Sequence, residues 1–131
     1  AMSFKATFYR DRFRKRVKRG FAGYPVGTVA YYGPDNQRAS KVAVAVIPVE
    51  GAEPELLERW FSDSDDVRTN PEILKAVLQF LSSHAVKSVV ATAGILGCPH
   101  EEGTDYPAGG TCPACPYWAH RDRFSGEIIQ S

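Results

Sequence analysis

With 131 residues, 44% of them apolar and 24% charged, the chain has the length of one domain and the composition of an ordinary globular protein. No apolar run approaches the ~20 residues that a membrane-spanning helix needs, which excludes that class. The net charge of +1 conceals an asymmetry: Lys5, Arg10, Arg12, Arg14, Lys15, Arg16, Lys18 and Arg19 are half of the sixteen basic residues, opposed before Gly20 by Asp11 alone. The first twenty residues thus carry about +7 and the remainder about −6, which predicts a basic N-terminal arm over residues 1–20 with its own anionic partner. Residues 21–131 then form a single α/β domain. No apolar segment follows the basic residues in the manner of a secretory signal, so the expected location is cytoplasmic.

Residues 4–19 carry two periods at once. Tyr9, Phe13 and Val17 recur every four residues as on a helix, while Phe4, Ala6 and Phe8 alternate as in a strand. From Gly27 the pattern sharpens. Thr28 to Tyr32 is β-branched and aromatic, Gly33-Pro34-Asp35-Asn36 is turn chemistry, and Lys41 to Ile47 is an apolar run closed by Pro48. These residues predict a β-hairpin whose second strand, apolar on both faces, is central in its sheet.

After Pro54, Leu56, Leu57, Trp60 and Phe61 fall at i, i+1, i+4 and i+5, which predicts a short helix from Glu55 to Phe61. Asp63, Asp65 and Asp66 follow in an acidic loop, where capping and solvation explain them better than a Mg²⁺ site. The clearest helix comes next. Asn70 caps it, Pro71 takes its first position, Glu72 meets the positive end of the dipole, and Ile73, Leu74, Val77, Leu78 and Leu81 mark one apolar face to about Ser83. Lys87 to Ala93 is a further strand, broken by Gly94 and Gly97, and strand, helix and strand at this spacing predict a βαβ unit. A last short strand is expected within Phe124 to Ile129. The predicted fold is α/β (α+β): a small mixed sheet from the hairpin and the βαβ unit, two helices, and a C-terminal zinc-bound loop pair.

All three cysteines lie between Cys98 and Cys115. Cys98-Pro99-His100 and Cys112-Pro113-Ala114-Cys115 are surrounded by Gly, Pro, Glu and Thr rather than by core residues. An odd number of thiols in a chain without a secretion signal argues against a disulfide framework, and a tetrahedral zinc site takes its four ligands from two such clusters. The predicted ligands are Cys98, His100, Cys112 and Cys115, with metal-binding loops over residues 98–115. His120 competes with His100 for the fourth position, as does a carboxylate from Glu101, Glu102 or Asp105.

The Cys-Pro-x-Cys half, after Gly109-Gly110, resembles one knuckle of a zinc-ribbon or rubredoxin-like site. Cys98-Pro99-His100 with Cys112 to Trp118 is also similar in cadence to the Rieske signature, but Cys115 stands where that pattern has its second histidine, so the resemblance implies a three-Cys, one-His [2Fe–2S] cluster. His100-Glu101-Glu102 ahead of Cys112-x-x-Cys115 resembles the zinc deaminase signature; here the interval between clusters is too short for that family's intervening helix and strand. The expected function is a binding module with structural zinc that contacts nucleic acid or a ribonucleoprotein. Arg10, Arg12, Arg14, Lys15, Arg16, Lys18 and Arg19 supply the phosphate-neutralising charge, and interleaved aromatics offer stacking surfaces. The alternative is a metal-dependent enzyme or [2Fe–2S] redox protein using the same four ligands.

Overall fold

The structure, a computed structural model, describes residues 4–100 together with residues 104, 105, 113 and 117. The β-branched and aromatic run forms β1 (Val26–Tyr32), and the apolar run forms β2 (Lys41–Ile47), paired antiparallel with Val29 opposite Val44. Their connection is built by side chains: Asp35 Oδ1 accepts from the backbone N–H groups of Gln37 at 2.8 Å and Arg38 at 3.2 Å. Gly33 is required there, because a Cβ would collide with the Arg38 carbonyl oxygen.

The predicted helix at Glu55–Phe61 is instead β3 (Leu56–Phe61), antiparallel to β2 with Val44 opposite Glu58. Hydrogen bonds from Glu55 N to Val46 O at 3.0 Å and from Ser62 N to Ser40 O at 2.9 Å bracket it. Backbone pairing with β2 holds it along one edge, whereas its apolar residues find little to bury against: Leu56, Leu57 and Phe61 are exposed and Trp60 alone packs on the core. A helix needs one buried stripe for its stability, and this segment has none.

The main helix, α2 (Pro71–Ser83), starts as the sequence predicts, with Asn70 Oδ1 accepting from Ile73 N at 3.0 Å and Pro71 in the first turn. It leads to β4 (Ser88–Ile95), parallel to β1 with Val29 opposite Ala91. Among the described residues the sheet has four strands in the order β3-β2-β1-β4. Because β3 runs antiparallel to β2 and β2 to β1, β3 and β4 point the same way, and α2 is the crossover of a βαβ unit that passes over both central strands. The expected strand at Phe124–Ile129 lies outside the described residues.

Residues 4–19 resolve toward the four-residue period as α1 (Phe4–Lys18), in which Ala6 and Phe13 are buried and Val17 packs on the core. Both helices lie on one face of the sheet, α1 against α2 and β4. The core between helices and sheet unites Phe13, Val77 and Leu81 with Val29, Tyr31, Val42, Val44, Val46 and Val89. Contact is closest at Gly27, where an added Cβ would lie 2.6 Å from Leu81 Cδ2, so α2 rests directly on the β1 backbone. The basic segment is therefore part of the folded layer: Arg16 Nη2 donates to Val86 O at 2.7 Å, tying α1 to the entry of β4.

Candidate metal knuckle and basic cleft

Past Ile95 the chain stays bound to the end of β1. Leu96 N donates to Tyr31 O and Gly33 N donates to Gly97 O, both at 2.8 Å, which fixes where Cys98 begins. Cys98 is buried at 6% exposure, and the backbone wraps round its sulfur: Sγ accepts from His100 N at 3.3 Å and lies 3.2 Å from His100 Nδ1. Two ligands on one tetrahedral zinc ion, with Zn–S near 2.3 Å and Zn–N near 2.05 Å, sit roughly 3.5 Å apart. The observed contact, a hydrogen bond between the two side chains, has a separation close to that. In chemistry and spacing the pair fits half of a zinc site.

A cation supports this turn from below. Lys41, at the head of β2, is only 4% exposed, and its Nζ donates to Pro99 O at 3.0 Å. It lies 5.4 Å from the Tyr32 ring centroid and 5.7 Å from that of Phe61. Ring faces and a carbonyl dipole thus surround a charge that burial would otherwise penalise. Cys112, Cys115 and His120 lie outside the described residues, as do Glu101 and Glu102. Among the described residues no group of three or more His, Cys, Asp or Glu side chains converges. His84 is apart from this region, its ring packed 4.6 Å from that of Phe80 at the end of α2.

The seven cations proposed for nucleic acid from the sequence fall into different settings on α1. Arg16 is engaged with Val86, Arg10 pairs with Asp11 at 3.3 Å, and Arg12 lies over the Phe8 ring at 5.5 Å. Lys15 and Arg19 are exposed at the C-terminal end of the helix, where the dipole favours positive charge. Arg10, Arg14 and Lys18 recur every four residues and form one row of about 12 Å. That row walls a cleft of about 580 Å³ between α1, the end of β1, the middle of β4 and the loop before α2.

The cleft floor is apolar, with Phe13, Val17, Tyr31, Leu74 and Ala91, and Arg68 stands on the wall opposite the α1 row. Arg68 is fixed by Asp66 through Nη2–Oδ2 at 2.6 Å and Nε–Oδ1 at 2.9 Å, while Asp66 Oδ2 also accepts from Ala39 N at 3.1 Å. Burial pushes the Asp66 carboxyl up, but the Arg68 side-chain and backbone hydrogen bonds and the Ala39 bond outweigh it and hold the group below its ordinary range. Tyr31 is pushed up to about 12 by burial, against the opposing pull of Arg68 and Arg14, so its hydroxyl remains a donor at neutral pH.

In the acidic loop Asp65 and Asp66 are engaged in local structure. Asp65 accepts from Asn70 Nδ2 and from the Ser62 hydroxyl, and Arg38 Nη1 donates to the Ser62 and Asp65 carbonyls at 3.1 and 2.9 Å. Sequence reasoning missed Tyr31, Lys41 and Arg68 as site residues. The signal available was a lysine heading an otherwise apolar strand, and an arginine two residues after an aspartate in a tight loop. Compared with known proteins, the chain matches no protein-family model, no curated protein and no solved structure.

Proposed function

We propose that the chain is a small zinc-binding module in which Cys98, His100, Cys112 and Cys115 hold a structural Zn²⁺, and in which the basic surface of α1 contacts nucleic acid. The convergence of Cys98 Sγ and His100 Nδ1 at 3.2 Å carries the metal half of this reading. Four soft or borderline ligands leave no open position for substrate or water, which makes the role structural: zinc pins the C-terminal loops to the end of β4. Thiolate ligation requires reduced cysteines and so favours the cytoplasm. Among the described residues no helix is long and apolar enough to cross a membrane.

For nucleic acid, the support is the charge that Arg12, Lys15 and Arg19 carry on exposed surface, with the exposed Phe8 ring beside Arg12. Such a face neutralises phosphates without reading sequence. The test has two readouts on the full chain. Elemental analysis gives about one zinc per colourless chain, lost in Cys98→Ser and in either His100→Ala or His120→Ala; iron with visible absorption replaces this reading by a cluster. Because α1 contributes Phe13 to the core, deletion of the helix is uninformative, and the triple variant Arg12→Ala, Lys15→Ala, Arg19→Ala is the proper probe. It lowers oligonucleotide affinity and flattens its salt dependence; identical binding by wild type and variant at low salt rejects the nucleic-acid half.

A further inference from the structure

We infer that the cleft between α1, the end of β1 and the middle of β4 is a binding site for a nucleotide-sized phosphate ester, with its phosphate between Arg14, Lys18 and Arg68 and its organic part on the apolar floor. The inference shares Arg10, Arg14 and Lys18 with the nucleic-acid reading but does not depend on it, since a free nucleotide and a nucleotide within a strand offer the cleft the same chemistry.

Three observations converge. First, the size is right: about 580 Å³ falls within the roughly 300–1,000 Å³ of small-molecule sites. Second, charge is concentrated, and two of the lining cations, Arg14 and Lys18, are unspent, whereas Arg10 pairs with Asp11 and Arg68 with Asp66. Four cations line the cleft against a single carboxylate, Asp66, which is committed to Arg68 and the Ala39 N–H. Among the described residues Arg14 and Lys18 have no carboxylate within ion-pair distance. Arg68 Nη1 likewise makes no hydrogen bond to a described residue, so the guanidinium, held through Nε and Nη2 by Asp66 and the Gln37 carbonyl, keeps Nη1 for a ligand.

Third, the floor carries a donor in need of an acceptor. The Tyr31 ring is buried, yet its hydroxyl makes no hydrogen bond among the described residues, and no buried polar side-chain atom there is left unpaired. The hydroxyl oxygen therefore keeps contact with the cleft. Arg14, Arg68 and Tyr31 line the same cleft. The flanking apolar residues Phe13, Val17, Leu74 and Ala91 favour a ligand with a base or similar apolar body over bare inorganic anion.

Calorimetric titration of the intact chain with ADP, a 5′-phosphorylated oligothymidylate, adenosine and inorganic pyrophosphate tests the inference. Saturable binding of ADP or of the phosphorylated strand, with adenosine silent and pyrophosphate weaker, is the expected result; which of the two binds identifies the source. Arg14→Ala and Lys18→Ala, both at exposed positions, each weaken that binding about tenfold, and Tyr31→Phe weakens it several-fold while leaving the floor intact. Failure of both phosphate esters to bind, or binding that Arg14→Ala and Lys18→Ala leave unchanged, overturns it. The outcomes separate from those of the nucleic-acid reading. Strand binding lost in the Arg12, Lys15, Arg19 variant but indifferent to Arg14 and Lys18 sinks the cleft alone, whereas ADP binding without strand binding sinks the nucleic-acid contact alone.

Discussion

Lys41 Nζ donates to the carbonyl oxygen of Pro99 at 3.0 Å, joining the first residue of β2 to the middle of the Cys98-Pro99-His100 turn. On the proposed reading, a zinc ion with three thiolates and one imidazole would carry a net negative charge, which a buried ammonium beside the turn would offset while holding the Pro99 carbonyl. Lys41→Met keeps the stem and removes the charge. The expected outcome is zinc affinity reduced roughly 10–100-fold in competition with a chromogenic chelator. Equal affinities would show that the contact is packing alone.

How far this arrangement could be read in advance depends on whether the signal was local. The hairpin, α2 and β4 announce themselves through short-range patterns: the Asp35 turn, the Asn70–Pro71 cap and the β-branched run at Val89–Val90. β3 misleads because edge strands are stabilised by hydrogen bonds to a neighbour rather than by a buried face. With Leu56, Leu57 and Phe61 exposed, the two-residue alternation that marks a strand never formed, and helical spacing of the same residues was accidental. The contact between Cys98 and His100 was legible because the two are two residues apart. The cleft was not: Tyr31, Arg68 and Arg14 meet only through strand register and helix docking, which no local pattern encodes.

The end of α2 contains a residue in a conformation that costs it energy. Val86 N donates to Leu81 O and Ala85 N to Ser82 O, both at 3.1 Å, the double hydrogen bond of a Schellman motif, with Leu81 and Val86 joining the core. The position between them requires positive φ, and Ala85 sits there at +52° where glycine is the usual occupant. Ala85→Gly removes the clash of Cβ with the following carbonyl at some cost in unfolded-chain entropy. The variant should gain roughly 0.5–1 kcal/mol and melt about 2–4 °C higher. Calorimetry showing a lower melting temperature would mean that the Ala85 methyl is needed for packing.

The Asp66–Arg68 pair makes folding stability sensitive to acid over a defined window. Both Asp66 oxygens are occupied: Oδ1 accepts from Arg68 N and Nε, and Oδ2 from Arg68 Nη2 and Ala39 N. Despite the upward push of burial, these bonds lower its pKa in the folded state from the ordinary 3.8. A depressed carboxyl contributes stability that is fully present above its unfolded value and is lost as pH falls through its folded one. Asp66→Asn mimics the protonated state and turns an amide toward donors, so at neutral pH it should cost on the order of 1–2 kcal/mol, moderated by the partial exposure of the pair. Below about pH 4 the wild type progressively forfeits the same contribution, and the denaturant midpoints of the two proteins should converge. A gap that persists undiminished to about pH 2 would assign the effect to packing of the loop against Ala39 rather than to the charge.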